Sequence, residues 1–179
     1  MKKLLLSLIL TLGLISAPAY AETPATDLEN TLFLNLKDGR VTIQMRPDLA
    51  PKHVARIKEL VRQGFYKDIV FHRVIGGFMA QTGDPTGTGM GGSGQTIPAE
   101  FTAEPFVRGT VAAARATDIN SADSQFFIMF ADTPYLNNNY TVWGKVTSGM
   151  EFVDNIRKGE PPMNPDKIVS MQIAADVGK

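Results

Sequence analysis

"TLFLNLKDGRVTIQM", residues 31–45, places Leu32, Leu34 and Leu36 at every second position, then Asp38-Gly39, then Val41, Ile43 and Met45 at every second position again. Side chains two apart share a face of a strand, so this stretch predicts a hairpin that turns at Asp38-Gly39 and buries one side. Downstream, Pro51 opens a run in which Val54, Ile57, Leu60 and Val61 recur at helical spacing before Gly64. That pattern predicts a helix with one face laid on the sheet. Further short strands are expected at 69–74, 78–81, 110–115, 125–131, 141–146 and 168–174, and a second helix at 149–158. Many short strands with two isolated helices predict a mainly β fold: a closed or nearly closed antiparallel barrel whose open ends the helices cover.

Ahead of the hairpin, Met1-Lys2-Lys3, an apolar run over 4–15 and Ala19-Tyr20-Ala21 before Glu22 form the three regions of a secretory signal. The apolar run falls short of the ~20 residues of a spanning helix, and Ser16 and Pro18 break its continuation, so no membrane association is expected after cleavage. Residues 1–21 are read as the signal peptide, 22–30 as a flexible leader and 31–179 as one domain. Cleavage removes Lys2 and Lys3 and no acid, which leaves 16 Lys plus Arg against 18 Asp plus Glu, a net charge of −2. That balance argues against nucleic acid as a partner. With no cysteine in the chain, disulfides, thiol catalysis and Cys-type zinc sites are excluded. The two histidines, His53 and His72, lie apart in the chain and do not suggest a metal site.

"GTGMGGSG", residues 87–94, contains Gly87, Gly89 and Gly92 in the order of a dinucleotide fingerprint. A nucleotide-dependent oxidoreductase would need a helix after these glycines, and Gln95-Thr96-Ile97-Pro98 does not start one. The segment is read as a flexible loop whose glycines let the backbone turn closely beside a bound peptide.

Two other stretches carry the chemistry, "FHRVIGGFMAQTGD" at 71–84 and "SQFFIMFADTPYL" at 124–136. Period 2 makes Phe71 with Arg73, Met79 with Gln81, and Gln125 with Phe127 same-face pairs, and turns Phe126 and Ile128 toward the opposite face, the barrel interior. Taken alone, the aromatic run reads as buried strand and Arg73 as a surface arginine. His72 falls on the face opposite Arg73 and reads as a structural, hydrogen-bonded histidine.

Both stretches resemble the signature segments of cyclophilins, the peptidyl-prolyl cis-trans isomerases. The resemblance runs from about Leu32 to Ile173 and includes the Gly-rich loop and "WGKVTSGM" at 143–150. It implies an eight-stranded cyclophilin-like barrel capped by two helices, isomerisation of Xaa-Pro bonds without cofactor or metal, and proline-containing unfolded or flexible polypeptides as partners. Arg73 then corresponds to the catalytic arginine, with Gln81 and Phe127 beside it in the catalytic set. Phe78, Met79, Phe127 and Leu136 would form the proline pocket, while Gln81 and Gln125 would hold the substrate backbone and orient the arginine. Ala114 and Arg115 match an Ala-Asn pair whose backbone the family uses, and Gly89 would flank the neighbouring subsite. Tyr135 stands where many members have the tryptophan associated with cyclosporin binding, which implies weak inhibition, and Tyr140 replaces a histidine at the pocket edge. With the signal peptide, the resemblance points to the secreted or periplasmic bacterial branch, as a monomer assisting the folding of exported proteins. The alternative is a proline-binding chaperone module of the same fold without turnover, and retention of Arg73 argues for the enzyme.

Overall fold

The computed structural model describes residues 27–178, so the expected signal peptide and the first part of the leader lie outside the described residues. The opening hairpin is strand β1 (Thr31–Leu36) and strand β2 (Gly39–Met45). Leu32 pairs with Ile43 and Leu34 with Val41, and all four are buried in the main core. The turn sits one residue earlier than expected, because Gly39 already pairs with Leu36 and Lys37-Asp38 make the loop. Of the expected leader, Leu28–Asn30 form a 3-10 turn capped by the Asp27 side chain, and Glu29 is ion-paired with Arg62 at 3.1 Å.

Helix α1 (Pro51–Arg62) carries Pro in its first turn and buries His53, Val54, Ile57, Leu60 and Val61. Its N-cap residue, Ala50, has no side chain able to satisfy the free N–H groups of the first turn. Glu100 does so from a distant loop, accepting the Lys52 and His53 backbone N–H groups at 3.0 Å each and bonding the His53 ring at 2.7 Å.

The remaining strands are β3 (Arg73–Ile75), β4 (Met79–Thr82), β5 (Thr110–Ala113), β6 (Phe126–Met129), β7 (Val142–Ser148) and β8 (Ser170–Ile173). They form one antiparallel sheet in the order β3-β4-β6-β5-β7-β2-β1-β8. The expected closed barrel is therefore a curled sheet with β3 and β8 at its two edges. The segments just before those strands join the edges through backbone bonds: Asp68 N to Ile168 O, Ile168 N to Ile69 O and Phe71 N to Asp166 O, each 2.9 Å. This is why the strand expected at 69–74 is confined to Arg73–Ile75: its first half leaves the β4 ladder to meet 166–168.

Helix α2 (Met150–Asp154) ends four residues before its expected boundary. Asp166 takes the Arg157 N–H at 2.7 Å and Gly159 exchanges backbone bonds with Val74, so the chain is drawn off the helix axis.

The alternation read at 125–128 is realised as two cores on the two faces of the sheet. Phe126 and Ile128 point inward with Trp143, whereas Phe127 and Met129 join a second, smaller cluster with Met79, Phe106, Ala112, Leu136 and Val142.

Candidate active site

Arg73, Gln81, Phe127 and Ala112 lie opposite one another across β3, β4, β6 and β5, in a single row of the outer face. The row one step along, Val74, Ala80, Ile128 and Val111, belongs to the inner core. Register alone thus presents a guanidinium, an amide and an aromatic ring side by side, because pleating sends alternate rows to opposite faces.

Around this row is an open cavity of about 120 Å3, well below the ~300–1,000 Å3 of a drug-sized site. It suits one small ring. Arg73 and Gln81 form its polar wall and Phe127 its floor, with Phe78 and Met79 from the β3–β4 hairpin, Leu136 from the 3-10 turn Pro134–Leu136, and Tyr140 at the edge. Phe127 is only 5% exposed and is held from behind by Phe106, with ring centroids 6.1 Å apart, and from the side by Tyr140 at 5.7 Å. Tyr135 stands outside the cavity wall, 71% exposed and stacked on Phe78 at 6.3 Å.

Ala114 and Arg115 continue from β5 between this cavity and a second one of about 350 Å3. The Ala114 N–H is bound to Gln125 O at 3.0 Å, while the backbone N–H and C=O of Arg115 have no protein partner among the described residues. The Arg115 guanidinium lies 4.7 Å from the Tyr140 ring centroid and donates to the carbonyl of Asn139 at 3.0 Å and that of Ala116 at 2.9 Å. It reinforces the cavity edge and leaves its own backbone open to an extended ligand.

The two glutamines do not hold the arginine as expected. Gln81 Nε2 donates to Gln125 Oε1 at 2.9 Å, and Gln125 Nε2 donates to the carbonyls of Gly89 and Gly91 at 3.0 and 2.8 Å. Arg73 instead donates from Nε to Glu160 Oε2 at 2.8 Å. No local pattern at 157–162 could have revealed this partner.

The Gly-rich loop is also more ordered in its bonding than a flexible turn. Asp84 accepts from the Thr86 N–H at 2.7 Å, the Thr86 hydroxyl at 2.8 Å and the Gly89 N–H at 2.6 Å. Asp123 accepts from the Ser93 N–H at 3.0 Å and the Gly94 N–H at 2.9 Å. A Cβ on Gly91 would collide with the Asp84 carboxylate and one on Gly92 with that of Asp123, so the glycines serve close approach to anions. The Asp84-Pro85-Thr86-Gly87 sequence carries the composition of an Asx-type turn and was the available signal. His72 is buried beneath this loop, but neither ring nitrogen has a protein partner among the described residues. The expected hydrogen-bonded histidine is thus one held by packing.

These buried groups make the fold acid-sensitive. Burial pushes the imidazoles of His53 and His72 below the usual 6.5, against the opposing pull of Glu100 and Asp84. Burial alone would raise the Asp84 carboxyl, but the Thr86 side chain and the Thr86, Gly91 and Gly89 N–H groups outweigh it and hold it at about 2. Burial likewise raises Glu100, and the His53 ring with the Lys52 and His53 N–H groups pulls it below 4.5. Below pH 6.5 the unfolded chain protonates its histidines first, so stability that is complete above that pH is lost as the pH falls. The carboxylates add a second loss below the unfolded values of 4.5 and 3.8, complete only after Asp84 titrates near 2. Urea midpoints are expected to decline in two stages between about pH 7 and pH 3, and a flat profile across that span would contradict the assignment.

Residues 31–173 match the family described as cyclophilin type peptidyl-prolyl cis-trans isomerase/CLD. A probable peptidyl-prolyl cis-trans isomerase of Brucella suis is 54% identical over 179 residues, covering 90% of this chain and 91% of the relative. Peptidyl-prolyl cis-trans isomerase B of Bacillus subtilis is 42% identical over 73% of this chain and 92% of its own length. Among solved structures, cyclophilin AquaCyp293 from Hirschia baltica superposes with a TM-score of 0.77 at 28% identity, over 85% of this chain and 76% of that one. A Cryptosporidium parvum cyclophilin type peptidyl-prolyl cis-trans isomerase, solved in the presence of the dipeptide Ala-Pro, gives a TM-score of 0.74 at 30% identity over 80% of this chain and 98% of that one.

Proposed function

The chain belongs to the cyclophilin-type peptidyl-prolyl cis-trans isomerase family, and from that premise we propose that it isomerises Xaa-Pro bonds in exported polypeptides with Arg73 as the catalytic donor. The observation that carries the residue assignment is the outer-face row in which Arg73 and Gln81 stand beside the Phe127 floor of one small cavity.

Rotation about the Xaa-Pro bond crosses a barrier of ~18–20 kcal/mol because amide resonance is lost at the twisted geometry. There the proline nitrogen regains a lone pair that the planar amide does not offer. A guanidinium N–H placed at that nitrogen stabilises the twisted state more than either planar isomer, which is the condition for catalysis. The proline ring sits on Phe127 with Met79 and Leu136 around it, while the acyl side turns. The apolar walls also keep water from competing for the donor. Beyond the ring, the free backbone of Arg115 pairs with the extended substrate. That a Cryptosporidium parvum cyclophilin was solved in the presence of the dipeptide Ala-Pro supports a proline-containing ligand here.

Export is supported by the signal-type sequence at 1–21. Expressed from its full sequence in a Gram-negative host, the protein is expected in the periplasmic fraction with a mature N-terminus at Glu22, read by intact mass. A cytosolic protein that keeps residues 1–21 would overturn the export assignment.

A further inference from the structure

Val74 and Gly159 exchange both backbone hydrogen bonds, Val74 N to Gly159 O and Gly159 N to Val74 O, each 2.8 Å. In antiparallel pairing, the residues that flank such a pair face each other at a non-hydrogen-bonded position, where side chains approach most closely. Those residues are Arg73 and Glu160, and their side chains meet at 2.8 Å between Nε and Oε2. The approach depends on Gly159, whose φ is +149° and where a Cβ would lie 2.5 Å from Pro162 Cα. Gln81 flanks Arg73 on the other side through the β3–β4 register, and no side-chain hydrogen bond joins them, Gln81 donating to Gln125 instead.

We propose that Glu160 is a positioning residue for Arg73: its carboxylate holds the guanidinium by Nε and so directs the remaining N–H groups at the substrate. This rests on the reading of Arg73 as the donor. A guanidinium is planar, so an acceptor fixed at Nε also fixes the plane that contains the other four N–H bonds. The two terminal nitrogens have no protein partner among the described residues, and Arg73 lines the cavity. Without an anchor, a long side chain samples many rotamers and must be ordered at each turnover. The pair is exposed, 41% for Arg73 and 51% for Glu160, and exposed ion pairs contribute little to stability. Its effect therefore falls on turnover and not on the fold.

The test is steady-state isomerisation of an Xaa-Pro peptide by the intact protein and its Glu160 variants, with kcat and KM separated. Glu160→Ala is expected to lower kcat about 3- to 10-fold, the factor for ordering one long side chain, with KM unchanged within about twofold. Glu160→Asp is expected to recover part of the loss. In an Arg73→Lys background, which lacks the Nε–H, Glu160→Ala is expected to change kcat no further. An unchanged or increased kcat in Glu160→Ala overturns the proposal, as does a loss of equal size in the Arg73→Lys background. Full activity in Arg73→Ala would instead remove the donor reading on which the proposal rests.

Discussion

Arg73→Ala is expected to lower kcat/KM for cis-to-trans relaxation of a short Xaa-Pro peptide by about a hundred- to a thousand-fold, the range for losing one preorganised transition-state donor. The planar amide nitrogen does not accept a hydrogen bond, so the guanidinium interacts strongly only with the twisted state. Its removal therefore acts on kcat, and binding of the proline ring to the Phe127 floor should persist. The side chain is 41% exposed and its partner Glu160 lies at the surface, so the thermal midpoint should stay within about 2 °C of the parent. Calorimetry beside the kinetic assay separates the two effects. A folded variant that turns over at the parental rate would exclude Arg73 as the donor. A folded parent that binds the peptide without turnover would leave the chain a proline-binding module.

Phe127→Ala is expected to damage both function and fold. Sequence alternation sets Phe127 on the substrate side, but the structure also buries it between Phe106 and Tyr140 in the second core. Truncating such a buried ring costs about 3–5 kcal/mol. For a domain of this size that lowers the thermal midpoint by roughly 6–20 °C. Unfolding should remain one cooperative transition, because the inner core of Phe126, Ile128 and Trp143 lies on the other face of the sheet and is untouched. Loss of the cavity floor is expected to reduce kcat/KM about ten- to a hundred-fold, the worth of burying one apolar side chain. Variant protein that is destabilised but catalytically normal at a permissive temperature would make Phe127 core only.

Much of this arrangement was legible along the chain. The alternation of Leu32, Leu34, Val41 and Ile43 defined the first hairpin, and the spacing of Val54, Ile57 and Leu60 defined the first helix. The split between Phe126 and Phe127 followed from the same period of two, and the structure puts the rings on opposite faces as expected. Nine of the twelve residues expected at the site line the small cavity, Gly89 and Gln125 line its neighbour, and Tyr135 stands outside on Phe78. Element ends were less legible. Strand β3 starts late because 69–71 is claimed by the barrel seam, and helix α2 stops early because Asp166 and Val74 claim the residues after it.

By itself the sequence determined which residues share a face within a regular element, because the periods of strand and helix relate near neighbours on the chain. Phe71, expected on the face of Arg73, is instead buried in the inner core, since the regular strand begins only at Arg73. Only the tertiary structure decided what those faces meet. Glu160 reaches Arg73 across 87 residues, and Glu100 caps a helix that starts about fifty residues earlier. Phe106, in a loop without periodicity, supports the cavity floor from behind. Such contacts depend on strand register and on where the sheet curls back on itself, and these emerge from the packing of the whole chain.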